Sequence, residues 1–198
     1  YRSSLDGLAR EVYLLGEHIA DPREHPILRP SLNALEMTYK LAEDSSATDL
    51  MHARSTLDGN EINLFCSIHT STDDLLRKVK ALRLLGQKTG TCFQRCVGWD
   101  ALNALSSVTY EIDQAKGTQY HRRFLDYLKY VQESDLVLNG SMTDVKGDRS
   151  KRPSEQADPD LFVHIVERQT DGIIVRGAKA HQTGAVFSHE IVVMPTLS

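Results

Sequence analysis

Residues 138–160, LNGSMTDVKGDRSKRPSEQADPD, decide how the chain is built. The stretch is polar, rich in turn formers and too long for a simple connector, and loops of that kind are commonly functional or disordered. Before it, apolar residues recur at steps of three and four, the spacing of a helix face. After it, they gather in short β-branched runs. The stretch therefore divides a helical domain, residues 1–138, from residues 139–198, which begin a β domain.

Upstream, Phe124, Tyr127, Leu128 and Val131 predict a helix from about Tyr120 to Leu136. The stretch from Cys92 to about Gln114 is apolar on more than one side, through Val97, Trp99, Leu102, Leu105, Val108 and Ile112, which predicts a helix central to a bundle. In HTSTDDLLRKVKALRLLGQK, residues 69–88, Ser71 or Thr72 is a capping residue, Asp73 and Asp74 suit the first turn, and basic residues follow. Ser31, after Pro30, is expected to cap a helix whose stripe runs through Leu32, Leu35, Tyr39 and Ala42. Leu5, Leu8, Val12, Leu15 and Ile19 predict a first helix, ended by the Pro-rich DPREHPILRP at 21–30.

Downstream, LFVHIVERQ, GIIVRGAKAHQTG and AVFSHEIVVM read as three antiparallel strands, with a hairpin turn at Asp171-Gly172. Helices feeding strands give an α+β class with segregated layers. About three strands with one covered face is the lower limit of independent stability, so the chain is expected to be the front part of something larger or to need an oligomer.

A chain of 198 residues that is 40% hydrophobic and 25% charged is long enough to bury a core. Its net charge of -4 gives no basic attraction to nucleic acid or anionic lipid, so a small-molecule partner is expected and no nucleic acid. Three cysteines do not make a disulfide scaffold, and the opening residues lack the basic start and apolar run of a signal peptide. Both point to the cytoplasm. No apolar stretch reaches the roughly 18–20 residues of a membrane span.

Three places carry candidate chemistry. In TCFQRCVG, residues 91–98, Cys92 and Cys96 on one helix would share a face with Cβ atoms about 5–6 Å apart. That suits two ligands of one metal centre, although two cysteines on an apolar helix more often simply pack. Zinc or an iron–sulfur cluster needs two further ligands, and Cys66, His69, His121, His181 and His189 show no paired spacing. In MTDVKGDRS, residues 142–150, Lys146 and Arg149 flank Gly147, a pattern that either holds a phosphate or flavin edge or forms a solvated turn. In RGAKAHQTG, residues 176–184, a strand would put Lys179, His181 and Thr183 on one face.

Taken together, GQKTGTCFQRCVGWDALNA, YEIDQ, YLKYVQESDLVLNGSMTDVKGDR, DPDLF and VRGAKAHQTGAVFSHEIVVMPT resemble the 4-hydroxybutyryl-CoA dehydratase family, within the 4-hydroxyphenylacetate 3-hydroxylase flavoprotein superfamily. The resemblance implies an acyl-CoA dehydrogenase-like fold: a helical domain, then the start of an antiparallel β-barrel, then a C-terminal helical domain absent from this sequence. It implies FAD and a 4Fe-4S cluster, with Cys92 and Cys96 as two metal ligands and a histidine and a cysteine beyond Ser198 completing the set. Thr183 would approach the flavin N5, and Gln94 would lie between cluster and flavin near the substrate. Met142, Thr143, Lys146, Gly147, Asp148, Arg149 and Gln182 would contact FAD.

The implied reaction is dehydration of 4-hydroxybutyryl-CoA to crotonyl-CoA, with isomerisation of vinylacetyl-CoA, in a homotetramer. The C3 hydrogen is unactivated, so the family draws on a radical route in which the flavin takes one electron and a cluster iron acts as Lewis acid on the hydroxyl. The 198-residue chain alone is expected to be inactive. Two other readings are a flavin-dependent aromatic monooxygenase of the same superfamily, which needs no cluster, and a non-catalytic helical metal-binding module.

Overall fold

Helix α1 (Arg29–Glu43) carries Pro30 in its first turn, where a missing N–H costs nothing, so the helix starts two residues before Ser31 and that serine caps nothing. The computed structural model describes residues 1–8 and 10–196. Leu32 and Leu35 of α1 are fully buried, and the single turn α2 (Thr48–Met51) follows. Helix α3 (Thr72–Thr89) begins with the capping box its sequence predicts: the Asp74 carboxylate accepts from the Ser71 N–H at 2.9 Å, and Ser71 Oγ accepts from the Asp74 N–H at 3.3 Å. Gly90, at φ +62°, closes it in the left-handed conformation.

Helices α4 (Cys96–Lys116) and α5 (Tyr120–Glu133) form a hairpin through Gly117. The Asp113 carboxylate satisfies the start of α5, accepting from the N–H groups of Tyr120 and His121, both at 2.9 Å. Phe124, Leu128 and Val131 of α5 are buried with Leu102 of α4, as the spacing predicts. The rest of α4 departs from expectation. Its buried residues are Gly98, Trp99, Ala101 and Leu102, all in the first two turns, while Val108 and Tyr110 are exposed, so only the N-terminal half is central.

The first expected helix is absent among the described residues. Residues Arg2–Leu5 form a 3-10 turn, and Tyr13–Leu14 (β1) pairs with Glu17–His18 (β2) in a tight hairpin. Leu15 and Gly16 both take positive φ, +52° and +87°, as a two-residue hairpin turn requires, and Leu15 is 92% exposed. A second small hairpin joins His52–Arg54 (β3) to Glu61–Asn63 (β4) inside the region read as helical.

The C-terminal strands also differ from a plain antiparallel run. Strand β5 (Leu138–Ser141) lies at the start of the polar stretch and is buried throughout; it spans the 138/139 boundary. It pairs in parallel with β8 (Glu190–Val193), Asn139 opposite Ile191. Strands β6 (His164–Arg168) and β7 (Ile173–Arg176) form the antiparallel hairpin expected around Asp171-Gly172. Residues Ala185–Phe187 form a 3-10 turn in place of the start of a strand, and Phe187 joins Leu32, Leu35 and Val137 in the core. The architecture is mixed helix and sheet, with β5 packed against the N-terminal end of α4.

Candidate functional site

Cys92 does not lie on a helix. Residues 91–95 form an irregular segment, and Cys96 is the first residue of α4, so an i, i+4 helix face is not what relates the two thiols. The segment is held from below by Phe93, edge-on to Phe65 with centroids 5.7 Å apart, and Phe65 in turn meets Trp99 at 5.1 Å. Gln94 takes φ +62°, a conformation that disfavours side chains with a Cβ, and is nearly fully buried.

Arg95 explains how that conformation is held. Its side chain is 1% exposed and its guanidinium sits over the Tyr39 ring at 4.6 Å and the Phe65 ring at 5.4 Å. It pairs with the Asp135 carboxylate and donates to the Leu136 carbonyl at 3.1 Å and to Thr38 Oγ1 at 3.3 Å. Asp135 and Leu136 lead directly into β5. A single buried cation thus ties the cysteine segment to the strand opposite it.

Between these two elements lies a cavity of about 160 Å³ lined by Cys92, Gln94, Cys96, Val97, Asn139, Gly140, His181 and Thr183. Both cysteines and the two residues to which the resemblance gives catalytic roles, Gln94 and Thr183, share it. Gln94, Asn139 and Gly140 are buried, whereas Cys92, His181 and Thr183 are exposed at its mouth. Burial, and after it the neighbouring Cys92 and Asp100 charges, push the Cys96 thiol up. Gln94 Oε1 and Asn139 Oδ1 are buried without a hydrogen-bond partner among the described residues.

Residues 177–184 do not form the expected strand. His181 has φ +61°, which breaks the alternation of faces, and Lys179 turns away from the cavity to bond Asp144 Oδ1 at 2.6 Å. Gln182 folds back to donate to the Ala180 carbonyl and is not on the cavity wall. Gly184, at φ +86°, is packed against Gln94 so tightly that a Cβ there would lie 2.5 Å from Gln94 Oε1.

The 142–149 segment meets the same site at its near end. The Ala180 N–H donates to the Thr143 carbonyl at 2.9 Å, Asp144 pairs with Lys179, and Thr196 Oγ1 donates to Asp144 at 2.8 Å. Met142 and Thr143 are exposed beside it. Farther out, Lys146, Asp148 and Arg149 lie on an open surface. There Gly147 backs onto Gln156 and Leu161, and the Asp148 N–H donates to Gln156 Oε1 at 2.9 Å.

The other sulfur and imidazole candidates lie elsewhere. Cys66 is fully buried beside Arg95 and Asp135, and burial pushes its thiol up to about 12. His69 packs on Trp99 and His121 on Tyr110. His189 Nδ1 accepts from the Val137 N–H at 2.8 Å. Among the described residues no three His, Cys, Asp or Glu side chains gather as a metal-binding group. Arg95, Asn139 and Gly140 belong to the site or its frame and escape a reading of motifs, because their roles depend on partners distant in the chain.

The family model described as 4-hydroxyphenylacetate 3-hydroxylase N terminal matches residues 1–198. The chain is 58% identical over 198 residues to the 4-hydroxybutyryl-CoA dehydratase/vinylacetyl-CoA-Delta-isomerase of Clostridium aminobutyricum, covering 100% of this chain and 40% of that protein. It is 24% identical over 196 residues to the 4-hydroxyphenylacetate 3-monooxygenase oxygenase component of Thermus thermophilus, covering 99% of this chain and 40% of that protein. Among solved structures, an oxygen-tolerant archaeal 4-hydroxybutyryl-CoA dehydratase from N. maritimus superposes with a TM-score of 0.92 at 53% identity, over 98% of this chain and 39% of that one. The FAD complex of a 4-hydroxyphenylacetate 3-monooxygenase oxygenase component gives 0.74 at 22% identity, over 94% and 38%, a likeness of fold. The chain spans about two fifths of the length of the curated relatives it matches.

Proposed function

The chain belongs to the family of 4-hydroxyphenylacetate 3-hydroxylase N-terminal domains, and from that membership we propose that it is the N-terminal part of a 4-hydroxybutyryl-CoA dehydratase that also isomerises vinylacetyl-CoA. The observation that carries this reading is the single cavity holding Cys92, Cys96, Gln94 and Thr183. The 58% identity to a dehydratase, against 24% to a monooxygenase, favours it over the oxygenase branch. The enzyme would be a cytoplasmic homotetramer acting on acyl-CoA esters. No helix among the described residues is long and apolar enough to cross a membrane.

The residues fit the implied cofactors in part. Two thiols on one cavity wall, one exposed and one half-buried, are a suitable pair of donors for an iron–sulfur cluster, which needs about four. Cys92 and Cys96 would supply two, and residues outside 1–198 the others. The open 142–149 surface, with Lys146 and Arg149 exposed and Gly147 between them, suits a dinucleotide, and Met142, Thr143, Asp148 and Gln182 complete the set proposed to meet FAD. In this reading residues 1–138 form the helical domain and 139–198 open the barrel of an acyl-CoA dehydrogenase-like fold. When bound, the two groups supply one-electron transfer and Lewis acidity to a substrate whose C3 hydrogen is otherwise inert.

The chain's own part is to orient and to exclude water. Gln94 is buried, its amide oxygen has no hydrogen-bond partner among the described residues, and its side chain is packed against Gly184, so it offers an acceptor at the inner side of the cavity. Thr183 brings a hydroxyl to the cavity mouth. The buried floor of Gln94, Asn139 and Gly140 keeps solvent from the inner side of the site.

Anaerobic purification of the full-length protein tests the reading. Iron, sulfide and flavin should be present, 4-hydroxybutyryl-CoA should yield crotonyl-CoA, and Cys92→Ser or Cys96→Ser should each lose iron with the far-UV spectrum unchanged. A flavoprotein that lacks iron, or variants that retain the full iron content, would overturn it.

A further inference from the structure

Asn139 is 1% exposed and lies in β5, whose backbone is already paired with β8, so the sheet does not need its side chain. That side chain crosses to the opposite segment, where its Nδ2 donates to the Thr183 carbonyl. Because the amide must point its nitrogen at that carbonyl, the orientation is fixed, and Oδ1 is left buried without a donor among the described residues. An unsatisfied buried acceptor costs about 1–3 kcal/mol. An apolar side chain of the same shape would remove that cost and give up the bond to the Thr183 carbonyl, so stability alone does not call for an amide here.

The turn held this way has two consequences. Thr183 and Gly184 precede the 3-10 turn of residues 185–187, and the far side of that turn is secured independently. Ser188 Oγ donates to the Gly184 carbonyl at 2.9 Å, and Arg10 donates to the Ala185 and Val186 carbonyls at 2.7 and 2.9 Å. Asn139 holds the near side. With both sides fixed, the Gly184 backbone lies on the Gln94 side chain, at a separation that leaves no room for a Cβ.

We infer that Asn139 is a positioning residue, whose amide sets the Thr183–Gly184 turn and thereby holds the Thr183 hydroxyl and the Gln94 amide in one arrangement across the cavity. The inference rests on the reading of Thr183 as a flavin-contacting residue, and it adds a residue that acts on the cofactor only through another. A residue acting through Thr183 has no effect once the Thr183 hydroxyl is gone.

The test is a double-mutant cycle on the full-length protein, stripped of flavin and titrated with FAD, following affinity and the visible circular dichroism of the bound flavin. Thr183→Val and Asn139→Leu should each weaken FAD by roughly 10-fold, the scale of one lost hydrogen bond. The double variant should also lose only about 10-fold, and the thermal midpoint of Asn139→Leu should stay close to the parent's. Asn139→Ala, which removes the donor without burying a charge, should match Asn139→Leu in FAD affinity and serves if the leucine variant does not fold. Parent-like FAD affinity and flavin spectrum in the Asn139 variants would overturn the inference, as would losses that multiply to about 100-fold. If Thr183→Val binds FAD as the parent does, the reading of Thr183 fails first and the role of Asn139 with it.

Discussion

Replacing Gly98 by alanine tests the contact on which the cavity is built. A Cβ at Gly98 would lie 2.4 Å from the Leu138 carbonyl oxygen, 2.5 Å from Leu138 Cβ and 2.8 Å from its carbonyl carbon. Ordinary contact begins near 3.4 Å, so α4 and β5 would have to part by about 1 Å. Two of the three opposing atoms are backbone, and the β5 ladder to β8 resists their movement, which places the cost near the top of the usual ~1–3 kcal/mol for overpacking. The gain of ~1 kcal/mol from alanine's helix propensity offsets part of it. The net expectation is ~2 kcal/mol of destabilisation. Gly86, in α3, is the control: it is exposed and a Cβ there meets nothing within 4 Å, so Gly86→Ala should stabilise by up to ~1 kcal/mol. Urea unfolding of the full-length protein, followed by far-UV circular dichroism, should rank Gly86→Ala above the parent and Gly98→Ala below it. If Gly98→Ala is as stable as the parent, α4 and β5 do not pack in contact at Gly98 and Leu138 and do not frame the cavity between them.

Arg95→Met should cost about 2–4 kcal/mol, and Asp135→Asn should be comparably harmful because it leaves a buried cation without its partner; the double variant should lose less than the sum, and additive losses would contradict a shared ion pair. Lys179→Met removes a 5% exposed cation from Asp144 and should free the start of the 142–149 segment, so limited proteolysis of the full-length protein should cut between Lys146 and Lys151 faster than in the parent; an unchanged rate would mean that the pair does not anchor the segment. Burial, followed by the Arg95 and Arg10 charges, depresses His189 from 6.5 to about 4. The unfolded chain therefore takes up this proton first, and the stability the neutral ring provides is complete above pH ~6.5 and lost as pH falls toward 4. The full drop corresponds to roughly 3 kcal/mol, reduced to ~2 by partial exposure, and His189→Asn should flatten that limb of the stability curve.

Where sequence spacing succeeded, local chemistry and packing agreed. In α3 the Ser71–Asp74 box starts a helix whose length Gly90 then ends, and in α5 the apolar stripe Phe124, Leu128, Val131 is the face that is buried. Spacing misled at residues 5–19, where Gly16 and a left-handed Leu15 make a hairpin from a run that also fits a helix. The turn chemistry of Asp58-Gly59 was available as a sign of the β3–β4 hairpin, with Gly59 at φ +77°. The parallel pairing of β5 with β8 had no local sign, since the two strands are separated by some fifty residues and their pairing depends on the packing of α4 against β5.

Helical spacing does not relate the cysteine pair, although both cysteines line one cavity. Helical spacing would have brought Cys92 and Cys96 together within one element, with no need of the rest of the chain. Instead Cys92 stands outside α4, and the two thiols reach one cavity because Phe93 and Arg95 are buried on one side while Gln94 is turned to the other. That alternation works only if Arg95 finds its carboxylate at Asp135, forty residues away, and the same contact brings β5 and Asn139 to the opposite wall. A motif read alone therefore underdetermines the site: CFQRC supplies the thiols, but the arginine within it supplies the partner strand. On this argument Arg95 variants that keep both cysteines should still disturb whatever the cavity holds, whereas a change at Cys66, buried on the far side of the same arginine, should reach the site only through Arg95.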